Sequence, residues 1–138
     1  MRIAVLLFCF FSWSLSAQNY YDGFDKELKD LIDQGDACLK AKEPNCKKYL
    51  DEVLALARQK PDSTLAMAYH EVGVSYSRYG ELPVFLEYIN KGLQETSGEN
   101  HPLVTAALYR KKTYAFARMG PIDSILPTID TAMLWAKR

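Results

Sequence analysis

The residue types that most often perform chemistry are sparse in this sequence, and their spacing does not suit catalysis or metal binding. The pair His70-Glu71 matches the start of a zinc-protease helix, but Val74 stands where that motif needs its second histidine. The other histidine, His101, is isolated, and no Cys-x-x-Cys spacing occurs. Glycine-rich phosphate loops and a nucleophile elbow are also missing from the sequence. We therefore predict that the protein is not an enzyme and that it binds no metal and no cofactor.

Two cysteines, Cys38 and Cys46, lie close together and could form a short-loop disulfide. Such bridges are typical of proteins that reach an oxidising compartment. Spacing alone cannot show that the two side chains face each other, so two free, packed thiols are the alternative. The third cysteine, Cys9, belongs to an N-terminal segment with a different character.

Residues 1–17 have the order of features that a secretory signal peptide needs. Arg2 supplies a positive charge, an unbroken apolar run follows, and small residues end at Ala17. The run is shorter than the roughly 20 residues of a membrane-spanning helix. We predict cleavage after Ala17, no membrane insertion afterwards, and a periplasmic or extracellular protein. A buried first helix is the alternative for this segment.

The rest of the chain, residues 18–138, has the composition of one compact domain. Of the 138 residues in the whole chain, 49% are apolar, and 17 basic side chains balance 17 acidic ones. A net charge near zero gives no overall attraction to nucleic acid or to an anionic membrane. We therefore predict no nucleic-acid binding.

The chain repeats its own pattern with a period of about 40 residues. Within each repeat, apolar residues recur at intervals of three and four residues, which is typical of amphipathic helices. Gly80 and Gly120 stand where a first helix would end, and Pro83 and Pro121 suit the first turn of a second helix. The matching pairs are Ala66 and Ala106, Tyr69 and Tyr109, Arg78 and Arg118, Gly80 and Gly120, Leu82 and Ile122, Phe85 and Ile125, Leu86 and Leu126, Ile89 and Ile129, and Leu93 and Met133.

This pattern predicts an all-α fold of about three antiparallel helical hairpins stacked as a superhelical solenoid. We place the repeats at about 22–60, 63–98 and 101–138, with a longer turn through 42–45 in the first of them. The final repeat lacks a polar capping helix. An uncapped apolar end predicts self-association or a continuation of the chain.

The middle repeat resembles the tetratricopeptide repeat family, through Tyr69, Val72-Gly73, Tyr76 and Gly80. The second helix departs from the family pattern, because Phe85 and Gly92 replace its alanines. The longer period is similar to that of exported bacterial arrays, whereas other two-helix solenoid families are the structural alternative. The resemblance implies a non-enzymatic scaffold that binds a protein or peptide in the concave groove of its first helices.

The groove positions on these predicted first helices carry basic and aromatic side chains. Guanidinium groups bind carboxylates at two points, so we predict that the partner is an acidic segment. A solvated, unoccupied surface is the alternative. An N-terminal sensory part of a longer kinase or regulator is the second functional hypothesis. The predicted groove residues are His70, Ser77, Arg78, Arg110, Tyr114 and Arg118.

Overall fold

A computed structural model describes residues 24–138, which form six α-helices and no strand. The helices are α1 (Lys26–Ala41), α2 (Lys47–Ala57), α3 (Asp62–Arg78), α4 (Leu82–Glu95), α5 (Pro102–Met119) and α6 (Ile125–Ala136), and a short 3-10 turn, Ile122–Ser124, precedes α6. The predicted all-helical class is confirmed within these residues. The predicted signal peptide lies outside them.

Consecutive helices pack against each other in pairs along the chain. The connections are short, so α1 with α2, α3 with α4, and α5 with α6 form antiparallel hairpins. The first helices also meet across hairpins, because α3 contacts α1 on one side and α5 on the other. Helix α3 thus lies at the centre of the molecule.

The hairpin turns form where the sequence predicts them. Gly80 and Gly120 have φ values of 88° and 112°, the left-handed conformation that glycine adopts without steric cost. The backbone N–H of Gly120 donates to the carbonyl of Phe116 and caps α5. Pro83 lies in the first turn of α4, where the missing N–H breaks no helical hydrogen bond.

Two glycines in the first helices let the second helices approach closely. A Cβ added to Gly35 in α1 would lie 2.6 Å from a methyl group of Leu50 in α2. A Cβ added to Gly73 in α3 would lie 3.1 Å from Ile89 in α4. The absence of a side chain at Gly73 therefore allows α4 to approach α3 closely.

The hydrophobic core extends from α1 to α5 and is densest around α3 and α4. Tyr69 and Phe85 are the largest fully buried side chains. Helix α3 is buried over most of its surface, since it contacts α1, α2, α4 and α5. Six consecutive residues of α3 are buried: Leu65, Ala66, Met67, Ala68, Tyr69 and His70.

Candidate functional site

The predicted groove corresponds to the layer formed by α1, α3 and α5, and His70 does not face solvent there. The residue is only 4% exposed, and its Nδ1 lies 2.8 Å from Oε1 of Glu71. Its Nε2 is buried without a hydrogen-bond partner. The placement of His70 on a solvent-facing surface was wrong, because α3 is covered on both sides and its buried stripe is wider than the repeat pattern indicates.

Arg78 and Ser77 lie at the end of α3, and the arginine is already engaged within the chain. Its Nη1 forms an ion pair with the Asp36 carboxylate of α1. The other carboxylate oxygen of Asp36 is buried and has no hydrogen-bond partner. Ser77, the residue before Arg78, is half-buried. Arg78 therefore joins α1 to α3, which the sequence pattern did not reveal.

The basic residues of α5 differ from one another in exposure. Arg110 is exposed, whereas Lys111 is partly buried. Burial lowers the pKa of Lys111, and the nearby charges of Arg110 and Arg78 lower it further, while Glu71 acts in the opposite direction. The charges that surround Lys111 therefore come from both α3 and α5.

Tyr114 and Arg118 form a local pair on the exposed side of α5. Arg118 Nη1 donates to Tyr114 Oη over 3.3 Å, and the guanidinium carbon lies 5.8 Å from the tyrosine ring centre. The same ring packs edge-on against Phe85 of α4, with ring centres 6.1 Å apart. Tyr114 thus helps to attach α5 to α4, and its side chain already has partners within the chain.

Taken together, the predicted groove residues do not converge on one open site. His70 is buried, Arg78 pairs with an acid from the neighbouring hairpin, and Arg118 pairs with Tyr114 in its own helix. Arg110 stays exposed. Of the six predicted groove residues, Arg78 and Tyr114 make contacts that join one hairpin to another.

Cys38 and Cys46 are joined by a disulfide across the turn between α1 and α2. Their Cα atoms are 5.4 Å apart, which is within the usual range for a bridge. The turn contains two left-handed residues that are not glycine, Lys42 and Asn45, with φ values of 56° and 69°. The disulfide and the N–H of Glu43, which donates to the carbonyl of Cys38, fix this strained turn.

Metal binding and membrane crossing find no support in the described part of the chain. Between residues 24 and 138 there is no cluster of three or more His, Cys, Asp or Glu side chains that could hold a metal ion. Within the same range, no helix is both long enough and apolar enough to cross a membrane.

The most conspicuous surface feature is an apolar face on α6 and the turn before it, which we call the terminal face. Ile122 and Leu126 are 75% and 71% exposed, and Leu134 is 57% exposed. Leu126, Ile129 and Met133 are spaced by three and four positions and form one stripe along α6, and Ile122 lies four positions before Leu126 in the preceding turn. The terminal face consists of Ile122, Leu126, Ile129, Met133 and Leu134.

Helix α6 uses small residues for its own packing. Its buried side chains are Thr128 and Ala132, whereas α4 buries Phe85, Tyr88 and Ile89. The sequence repeat aligns Ile129 with Ile89, and Ile89 packs against Gly73 of α3, the first helix of its own hairpin. The stripe of the terminal face is between 36% and 75% exposed, although α6 packs against α5. The alignment predicted the apolar stripe but not its exposure.

The loop between α4 and α5 holds the other side of α6. A Cβ added to Gly98 would lie 2.8 Å from the ring of Trp135, so the indole lies directly on the loop backbone. The Arg138 guanidinium lies 4.5 Å from the centre of that ring. These contacts fix α6 against the loop that precedes α5.

Comparison with curated proteins finds similarity to two proteins of Bacteroides fragilis. UPF0597 protein BF3560 and UPF0597 protein BF3772, from two strains of that species, are each 31% identical to this chain over 109 residues. The match covers 79% of this chain but only 24% of each relative. The chain thus spans about a quarter of the length of the curated relatives it matches. No family model and no solved structure matches the chain.

These relatives contradict the function predicted from the sequence. They are named as UPF0597 proteins and not as tetratricopeptide scaffolds or sensors. The hypothesis of an exported scaffold that holds a peptide in its groove was therefore wrong, as was the sensory alternative. The error arose because a resemblance in helical packing was extended to a binding function, although such packing residues mainly determine fold.

Proposed function

We propose that this chain is a helical assembly module that pairs with a second copy of itself through the terminal face. The observation that carries the proposal is the uneven distribution of exposed apolar side chains. All eight large hydrophobic residues that are exposed between 24 and 138 belong to α5, α6 and the turn between them. They are Leu103, Tyr114, Met119, Ile122, Leu126, Ile129, Met133 and Leu134.

A contiguous apolar face of this kind is costly in water. Covering apolar surface contributes about 25 cal/mol per Å², and large exposed patches usually mark contact sites. The stripe has the spacing of a helix–helix contact, with Leu126 and Met133 one heptad apart. A second α6 presents the same stripe, and symmetric pairs use the same patch on both copies.

The arrangement of the hairpins supports the same proposal. In a solenoid, each hairpin covers the apolar face of the previous one, and the last hairpin needs a cap or a neighbour. The contacts of α3 with α1 and α5 fit such a stack, as does the resemblance to tetratricopeptide repeats. A second copy would give α6 a further neighbour beyond the helices of residues 24–138.

Sedimentation of the full chain at several concentrations tests the proposal. We expect a reversible monomer–dimer equilibrium in the micromolar range. Leu126→Glu combined with Met133→Glu should shift the protein to monomer, since each substitution places a charge in the dimer contact. Both residues are exposed in the single chain, so the helical circular dichroism signal should be retained.

Ala55→Glu is a control for added negative charge, because it places one glutamate at an exposed position of α2, far from the terminal face in sequence. This variant should form dimers like the wild type. A chain that stays monomeric at all concentrations, or a double variant that still forms dimers, would rule out the proposed function. In the first case another segment or protein would have to cover the face.

A further inference from the structure

We infer that the two copies pair with their α6 helices antiparallel, so that Asp123 of each copy faces Lys137 of the other. This inference rests on the proposed function, because it specifies the geometry of the same contact. It follows from the order of charges beside the terminal face: Asp123 lies in the turn before α6, Asp130 lies near its middle, and Lys137 caps its end.

The charges lie on one line along the solvent edge of the apolar stripe. Asp130 and Lys137 are seven positions apart along α6 and its C-cap, and Asp123 lies seven positions before Asp130, in the 3-10 turn that precedes the helix. All three are exposed, and none forms an ion pair within the described part of the chain. Their side chains are therefore available to a second copy.

One symmetry axis near the middle of α6 satisfies the apolar and the charged contacts together. With the axis beside Asp130, Leu126 of one copy lies opposite Leu134 of the other. The same register places Asp123 opposite Lys137 at both ends. A parallel pair would instead place each charge beside its own equivalent, so like charges would meet along the whole contact.

The middle of this arrangement contains one unfavourable contact. The two Asp130 carboxylates approach each other at the axis, where like charges weaken association. The Asp130→Asn substitution removes this repulsion and should tighten the dimer severalfold. In a contact that does not use this edge of α6, the same substitution would leave the affinity unchanged.

Charge reversal distinguishes ion pairs between two antiparallel copies from the interaction of the same charges with the dipole of their own helix. Acids at the start and bases at the end of a helix also suit its dipole, whatever the helix binds. Asp123→Lys and Lys137→Asp should each weaken dimerisation about tenfold, since each reversal changes two equivalent ion pairs. The variant with both reversals should return to within about threefold of the wild-type affinity, whereas a dipole effect would make it worst of all.

Cysteine cross-linking gives a second, independent measurement of the geometry. In a Cys9→Ser background, Asp130→Cys should form a disulfide-linked dimer efficiently under mild oxidation, because this position lies at the axis. Asp123→Cys should form little, and adding Lys137→Cys to it should restore the cross-link. In a parallel pair, Asp123→Cys alone would cross-link as well as Asp130→Cys.

The outcomes distinguish this inference from the proposed function. A dimer that depends on Leu126 and Met133 but is not restored by the double charge reversal, or that cross-links through Asp123→Cys alone, keeps the assembly function and overturns the antiparallel geometry. A protein that sediments only as a monomer overturns both.

Discussion

Ile89 and Ile129 occupy equivalent positions in successive hairpins, but Ile89 is fully buried and Ile129 is 36% exposed. Ile89 packs beside Gly73, in the interface between α3 and α4. Ile129 belongs to the terminal face and stays partly exposed, although α6 packs against α5. The same residue type at the same repeat position should therefore contribute differently to stability.

We expect Ile89→Ala to lower the free energy of unfolding by about 3 kcal/mol, because it removes buried methyl groups and leaves a cavity. Ile129→Ala should cost less than about 1 kcal/mol in the monomer, since its side chain already contacts water. Urea unfolding followed by circular dichroism, at a concentration low enough for the monomer, measures both values. Equal losses would show that α6 is covered in a way that the structure does not describe.

Gly98 and Trp135 provide a test of how α6 is attached. We expect Gly98→Ala to lower the free energy of unfolding by about 1–2 kcal/mol, because the new methyl group would displace the indole ring. Thermal and urea unfolding measure this loss. In a Trp135→Leu background, the same Gly98→Ala substitution should cost less than about 0.5 kcal/mol, because the smaller side chain leaves room for the methyl group. If Gly98→Ala lowered the free energy of unfolding equally in both backgrounds, the destabilisation would come from the loop backbone and not from contact with the indole ring.

The disulfide between Cys38 and Cys46 should stabilise the first hairpin. For cysteines separated by 8 positions, the chain-entropy model gives about 2.5 kcal/mol. Reduction with dithiothreitol should lower the free energy of unfolding by about this amount, as measured in urea. A variant with both Cys38→Ser and Cys46→Ser should be equally destabilised and should not respond to reductant. A wild-type chain that is unaffected by reductant would contradict the prediction.

The functional prediction failed at the step from fold to site. Arg78 and His70 were placed in an open groove because their positions lie outside the repeat's main apolar stripe. Tertiary contacts changed both environments, since α1 brings Asp36 to Arg78 and the neighbouring helices bury His70. Residues on the same face of an isolated helix can therefore have quite different surroundings once other hairpins pack around it.

Helix periodicity and turn chemistry were determined by the sequence alone. The spacing of apolar residues within each repeat indicated paired helices, and Gly80 and Gly120 marked the ends of α3 and α5. These are local properties, because the periodicity of a helix and the left-handed conformation of glycine depend on neighbouring residues in the chain.

Burial was decided only by the tertiary structure. The sequence repeat makes Ile89 and Ile129 equivalent, and nothing near either residue in the chain distinguishes them. Whether such a side chain is covered depends on which helix packs against it, and that helix comes from a distant part of the chain or from another molecule. For this reason the apolar stripe of α6 could be predicted from the sequence, whereas its exposure could be seen only in the folded chain.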